Sequence, residues 1–297
     1  MNHSVLIAVI AAAGAAVSMG TIGLMARLSE VDSVTVTFYR LAFGALFLWL
    51  FLALTGQMKS ALSKPTKTSI LSGVFIAAFI LFYIEAMQHT TILVAVITLY
   101  AAPPVASLIS HFFLNDTLSR SALLSVTIAI AGFILVIQGS GDEISHDTTG
   151  FLFSLASMAC YCLFILINKF GKSAASEWSD TAWQLIAGSL ILLPLVLLSD
   201  SHIQHSEQWL WMLLTGLVPG FLGLTLAVYA IRRLSSASYA TISYLEPVTA
   251  LILGWIVFSE HLNAQQMFGA SVIIVNSLFE LYMSSKRLVP ATSPVVR

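Results

Sequence analysis

Runs of about 20 apolar residues, joined by short polar connections, govern what this 297-residue chain can become. Ten such runs can be placed, at roughly 4–26, 34–55, 69–88, 91–114, 118–138, 149–170, 180–199, 207–231, 236–258 and 264–284. In hydrocarbon every backbone N–H and C=O must be satisfied within its own segment, so each run is expected to be a membrane-spanning α-helix. The composition, 58% hydrophobic and 9% charged, departs far from the roughly 25% charged residues of a soluble domain. No connection is long enough to fold as a soluble domain. The start, "MNHSVLIAVIAAAGAAVSMGTIGLMAR", has no Lys or Arg before its apolar run, and that run is too long for a signal core. A first span is expected there. A net charge of −1, with no basic patch, leaves nucleic acid out as a partner.

Ten spans put both ends of the chain on one side. The loops on that side hold Lys59, Lys64, Lys67, Arg120, Lys169, Lys172, Arg232, Arg233, Lys286, Arg287 and Arg297, while the opposite loops hold only Arg27. Basic residues favour the cytoplasmic side, so both termini are expected in the cytoplasm and the chain in the inner (plasma) membrane. Small residues four apart predict close helix contacts: Ala12, Ala16 and Gly20, then Ser69, Gly73 and Ala77, then Gly216 and Gly220. Cys160 and Cys162 point about 200° apart on a helix and read as small buried residues.

Shifted by 144 residues, the chain overlays itself. Thr37, Leu41, Gly44 and Leu46 meet Thr181, Leu185, Gly188 and Leu190; Tyr100, Pro103, Asp116 and Leu118 meet Tyr244, Pro247, Glu260 and Leu262. Only the front of the third span slips, by one residue. The expected organisation is a five-helix repeat over 1–144, a second over 145–285, and a disordered cytoplasmic tail over 286–297. An odd number of helices per copy inverts the second copy, a recurrent design of secondary transporters.

Ten spans in two halves, each with Pro, an apolar run, an acidic residue, one residue and Leu, resemble the EamA branch of the drug/metabolite transporter superfamily. The pattern runs from Pro103 to Asp116 and Leu118, and from Pro247 to Glu260 and Leu262. The resemblance implies an all-α membrane carrier with a central cavity among the third, fourth, sixth and ninth helices. It implies a small-molecule substrate without naming one. It also implies a general role for a Glu ahead of the second-half Pro.

Charges within the spans are the candidate site. Glu246 lies about twelve residues from either end of the ninth span, beside Pro247, and its first-half counterpart is Ala102. A charge at that depth costs roughly 2.5–3.5 kcal/mol. Broken backbone at mid-depth is tolerated where it lines a cavity, and Pro103 and Pro104 interrupt the matching helix. Glu246 is therefore expected to face a cavity and bind a substrate amine or a coupling proton. A carboxylate satisfied by neighbouring helices, fixing packing alone, is the competing reading. Arg40 and Glu85 stand at equal depth near one membrane face and are expected to form a gating or structural ion pair. Tyr83, Tyr100, Tyr161, Asn168 and Tyr244 form the expected cavity wall. Glu280 is expected to reach the interface near Lys286, and Asp116 and Glu260 to cap helices. "HIQH", with His202 and His205 beside Glu207, reads as a solvated loop rather than a metal site.

Catalytic signatures and a P-loop are missing, so no cofactor or enzyme activity is expected and transport must run on a gradient or by facilitation. The expected activity is alternating-access export of an amino-acid-like or amphipathic metabolite, coupled to protons, with uptake or exchange as the alternative. The expected partners are a small-molecule substrate, protons and the lipid bilayer, and a single chain suffices for this design.

Overall fold

The computed structural model describes residues 3–58, 64–90, 92–116, 119–138, 148–171, 176–199, 203, 205–259 and 263–286. Every regular element among them is helical: α1 His3–Gly20, α2 Ile22–Ser29, α3 Ser33–Leu54, α4 Lys67–His89, α5 Ile92–Tyr100, α6 Ala102–Leu114, α7 Arg120–Gln138, α8 Thr148–Phe170, α9 Glu177–Leu198, α10 Ser206–Thr215, a π-helical stretch Gly216–Gly223, α11 Leu224–Arg233, α12 Ser236–Ser243, α13 Leu245–Phe258 and α14 Ala264–Lys286. Nine spans among the described residues are long and apolar enough to cross a membrane. The tenth expected span is α14, 23 residues long but carrying Gln265, Gln266, Asn276 and Glu280. Of the expected tail, 286–297, Lys286 ends α14 and the rest lies outside the described residues, as do Glu260 and His202.

Polar residues start these helices where the sequence needs them. Asp32 accepts from the Thr35 amide at 2.9 Å, Thr66 and Ser69 cap each other at the head of α4, and Asn263 and Gln266 do the same for α14 at 2.9 and 3.0 Å. Each cap satisfies amide donors that a helix start leaves open. Large apolar side chains such as Phe113, Leu124, Leu198, Ile256 and Val275 are exposed. On a membrane-spanning bundle this is the surface that meets lipid.

The packing repeats itself when the two halves are exchanged. The first span packs on the eighth and ninth, as the sixth packs on the third and fourth; the second packs on the π-helical stretch as α9 packs on α4. The pairs α3 with α9 and α7 with α14 map onto themselves. A Cβ on Gly188 would stand 2.9 Å from Leu41, and one on Gly44 would stand 3.2 Å from Leu185, each contact being the other shifted by 144 residues. The backbone follows suit. Asn115 and Ser259, also 144 apart, end α6 and α13 in the left-handed conformation at φ 55° and 54°.

The one-residue slip has a visible cause. The eighth span contains the π-helical stretch, and i→i+5 bonding takes one more residue per turn than an α-helix. Its counterpart α4 is α-helical throughout.

Candidate functional site

The site is built on two broken helices. The ninth span stops at Ser243, turns at Tyr244 and restarts as α13 at Leu245. Glu246 and Pro247 therefore occupy the first turn of a new helix, at mid-depth. Pro lacks an N–H where no helical partner exists for one, and the positive end of the helix dipole faces the carboxylate. The fourth span breaks the same way at Ala101, with Pro103 and Pro104 in the first turn of α6. The two breaks touch: the Tyr244 hydroxyl donates to the Tyr100 carbonyl at 2.8 Å.

Beside the breaks lies a cavity of about 320 Å³. Glu246, Arg40, Tyr83, Tyr100, Tyr161 and Tyr239, with the hydroxyls of Ser33, Thr37 and Ser243, supply its polar lining, against apolar walls from α1, α4 and α11. Tyr100 and Glu246 share this lining, as do Tyr161 and Tyr239. Helix α1 comes close enough at Gly20 that a Cβ there would stand 2.6 Å from the Glu246 carbonyl. Arg40 is 8% exposed and directs Nη2 at the Met19 sulfur, 2.9 Å away. The residues Ala26, Ser33 and Met87 carry the lining to the end where α2 meets α3.

The opposite end is sealed. Arg232 pairs with Asp180 at 2.7 Å, and Asp180 also accepts from Thr66 at 3.0 Å. Arg233 pairs with Glu177 at 2.7 Å. Asp116 accepts from the Ser236 amide at 2.9 Å and hydroxyl at 2.7 Å, and Lys169 donates to the Leu234 carbonyl. These bonds tie α4, α6, α8 and α9 to the end of α11 and the start of α12.

Several sequence expectations are corrected. Arg40 and Glu85 form no ion pair: Arg40 enters the cavity, while Glu85 meets His89 one turn along α4 at 3.2 Å. Equal depth does not fix the angle around a helix. Asn168 is buried outside the cavity, donating to Ser72 at 2.6 Å and to Phe164 at 2.9 Å, and accepting from Gln184 at 2.8 Å. Tyr244 packs against Phe133 with ring centroids 5.3 Å apart and stays out of the lining. Glu280 is buried, accepting from Ser238 at 2.6 Å and Ser125 at 3.2 Å rather than reaching the interface. Asp116 caps a helix, but that helix is α12 of the other half. Sequence reasoning missed Tyr239 and Met19. Tyr239 precedes Glu246 by seven residues, two helical turns, and so shares its face; that spacing was available as a signal. No group of three metal-ligating side chains occurs among the described residues.

Comparison with known proteins places this arrangement. A model of the EamA-like transporter family matches the chain twice, over residues 6–138 and 148–280. An uncharacterized transporter of Archaeoglobus fulgidus is 27% identical over 263 residues, covering 89% of this chain and 92% of that one. An S-adenosylmethionine uptake transporter of Rickettsia conorii is 21% identical, covering 88% and 86%. A solved crystal structure at 15% identity superposes with a TM-score of 0.82, covering 94% of this chain and 99% of its own, and shares the fold. Two family matches over most of the length, on a bundle whose packing repeats under exchange of its halves, establish that this multi-pass membrane protein belongs to the EamA-like transporter family, within the drug/metabolite transporter superfamily.

Proposed function

We propose that this chain is a secondary transporter that exports a small amino-acid-like or amphipathic metabolite across the inner membrane in exchange for protons. The observation that carries the reading is the cavity at Glu246, which runs to one end of the bundle while hydrogen bonds and ion pairs close the other. That is one half of an alternating-access cycle. With the termini in the cytoplasm, the open end faces outward. The two five-helix units, 1–144 and 145–285, then rock about the broken helices to open the other end. Glu246 takes a proton or the substrate amine, because a carboxylate at this depth favours any partner that removes or balances its charge. Tyr83, Tyr100 and Tyr161 orient the cargo. Carriage rather than catalysis is proposed, since the family matched and the relatives named are transporters.

Uptake or exchange is the second reading, favoured by the relative named as an uptake transporter. Flux into proteoliposomes separates these. A carrier saturates, shows counterflow with labelled amino acids and responds to a pH gradient, and the sign of that response gives the direction. Glu246→Gln is expected to abolish gradient-driven flux and leave exchange. Flux in this variant that responds to pH as before would reject the coupling role, and flux that never saturates would reject carriage.

A further inference from the structure

We propose that Arg40 is the specificity-determining residue of the cavity and reads a carboxylate, so that the cargo class is zwitterions with an apolar body. The inference rests on the transport reading and deepens it. Its basis is a guanidinium whose hydrogen-bonding capacity is unspent. Arg40 is buried to more than nine-tenths, and its Nε has no hydrogen-bond partner. Nη2 meets only a thioether sulfur, a weak acceptor. Among the described residues no carboxylate is in ion-pair contact with it, although Glu246 lines the same cavity. A buried charge without a direct partner is costly, and a packed core would replace it by an apolar side chain.

The surroundings hold the group in place rather than fill it. Gly220 of the π-helical stretch lies so close to the Arg40 carbonyl that a Cβ there would overlap it. The backbone of Arg40 is thus pinned while its side chain faces open space. The counterpart Gln184, in the other half, is instead tied to Asn168. The same fold position therefore carries an amide bonded through its nitrogen in one copy, its oxygen left open, and an under-used cation in the other.

Two opposite charges now face one cavity without touching. A carboxylate from the cargo completes the planar fork of Arg40, and an ammonium meets Glu246. The rest of the cargo lies along Ile76, Phe79 and Ile80, which asks for an apolar body. The volume of about 320 Å³ is at the small end of ligand pockets and suits a single amino-acid-sized molecule.

Matched probes test this. Leucine, methionine and phenylalanine, each with its amide (ammonium only) and its des-amino acid (carboxylate only), are titrated against purified protein, and the melting temperature is followed. At least one amino acid is expected to bind about tenfold tighter than both of its partners. Arg40→Gln is expected to bring the amino acid down to its amide, and Glu246→Gln to bring it down to its des-amino acid. Arg40→Lys, which keeps the charge and loses the fork, is the variant to read if Arg40→Gln does not fold, and should weaken the amino acid more than the amide. Equal binding of amino acid and amide by the unaltered protein overturns the role of Arg40. Equal binding of amino acid and des-amino acid, or no binding by any probe, overturns the zwitterion class. Saturable flux of another solute in proteoliposomes would in each case leave the transport reading standing.

Discussion

Glu246 is tolerable at mid-depth because its neighbourhood supplies several small compensations. Against an insertion cost of roughly 2.5–3.5 kcal/mol, the start of α13 offers up to about 2 kcal/mol of dipole stabilisation in a partly buried setting. Tyr100 lines the same cavity beside it. A cavity rather than packed side chains lies beside the carboxylate. Of the site, Glu246 and its cavity were legible in the sequence, because an acid beside Pro in the middle of an apolar span is costly unless open space or a fresh helix start meets it. The partner of Arg40 was not legible. Depth follows from counting residues, but the direction of a side chain depends on where a helix breaks and what packs behind it. The same limit explains Tyr244, which faces away from the lining, while Asn168 sits two residues from the end of α8, towards the closed end. Gly220 allows a sharp test at this scale. Gly220→Ala should push α3 away and destabilise by about 1–3 kcal/mol, as overpacking does. Gly23→Ala, where nothing lies within 4 Å of an added Cβ, should leave the melting temperature unchanged. A harmless Gly220→Ala would mean that Arg40 is not held as described.

At the scale of elements, the breaks in the fourth and ninth spans were readable from Pro103, Pro104 and Pro247. Their contact through Tyr244 and Tyr100 was not, because a hydrogen bond between breaks needs both helices placed. The π-helical stretch left only a one-residue slip as its trace, since Gly and Pro mark irregularity without specifying its kind. The seal depends on pairs brought together from distant segments, and no local pattern announces those. Removing Arg232 alone strands the buried Asp180 carboxylate and should cost about 3–5 kcal/mol. Replacing both by Leu should nearly restore stability while loosening the closed end. Hydrogen exchange over residues 230–240 reads this directly: protection should fall in the double variant at almost unchanged melting temperature. Protection equal to that of the unaltered chain would show that the pair does not hold the end shut.

For the whole molecule, the ends of nearly every span fall within a few residues of the expected ones, because bilayer thickness and backbone satisfaction leave little freedom. The 144-residue repeat reappears as packing that survives exchange of the halves. Orientation rests on the distribution of Lys and Arg, and C-terminal fusions check it. Green fluorescent protein there should fluoresce and alkaline phosphatase should be inactive; the reverse would remove one span from the count and turn the open end inward.

The salt bridges of the sealed end have no equivalents across the pseudo-symmetry. Glu177, Asp180, Arg232 and Arg233 correspond, 144 residues earlier, to Ser33, Val36, Gln88 and His89. Mirror-related halves by themselves would idle evenly between two poses. Among the described residues these ion pairs clasp one end only, and under the proposed alternating-access cycle each 1.4 kcal/mol that they contribute would skew the resting population about tenfold. Under that proposal, whatever the traffic, the machine waits in a preferred posture, and every turnover must undo the same few bonds before the far door can move.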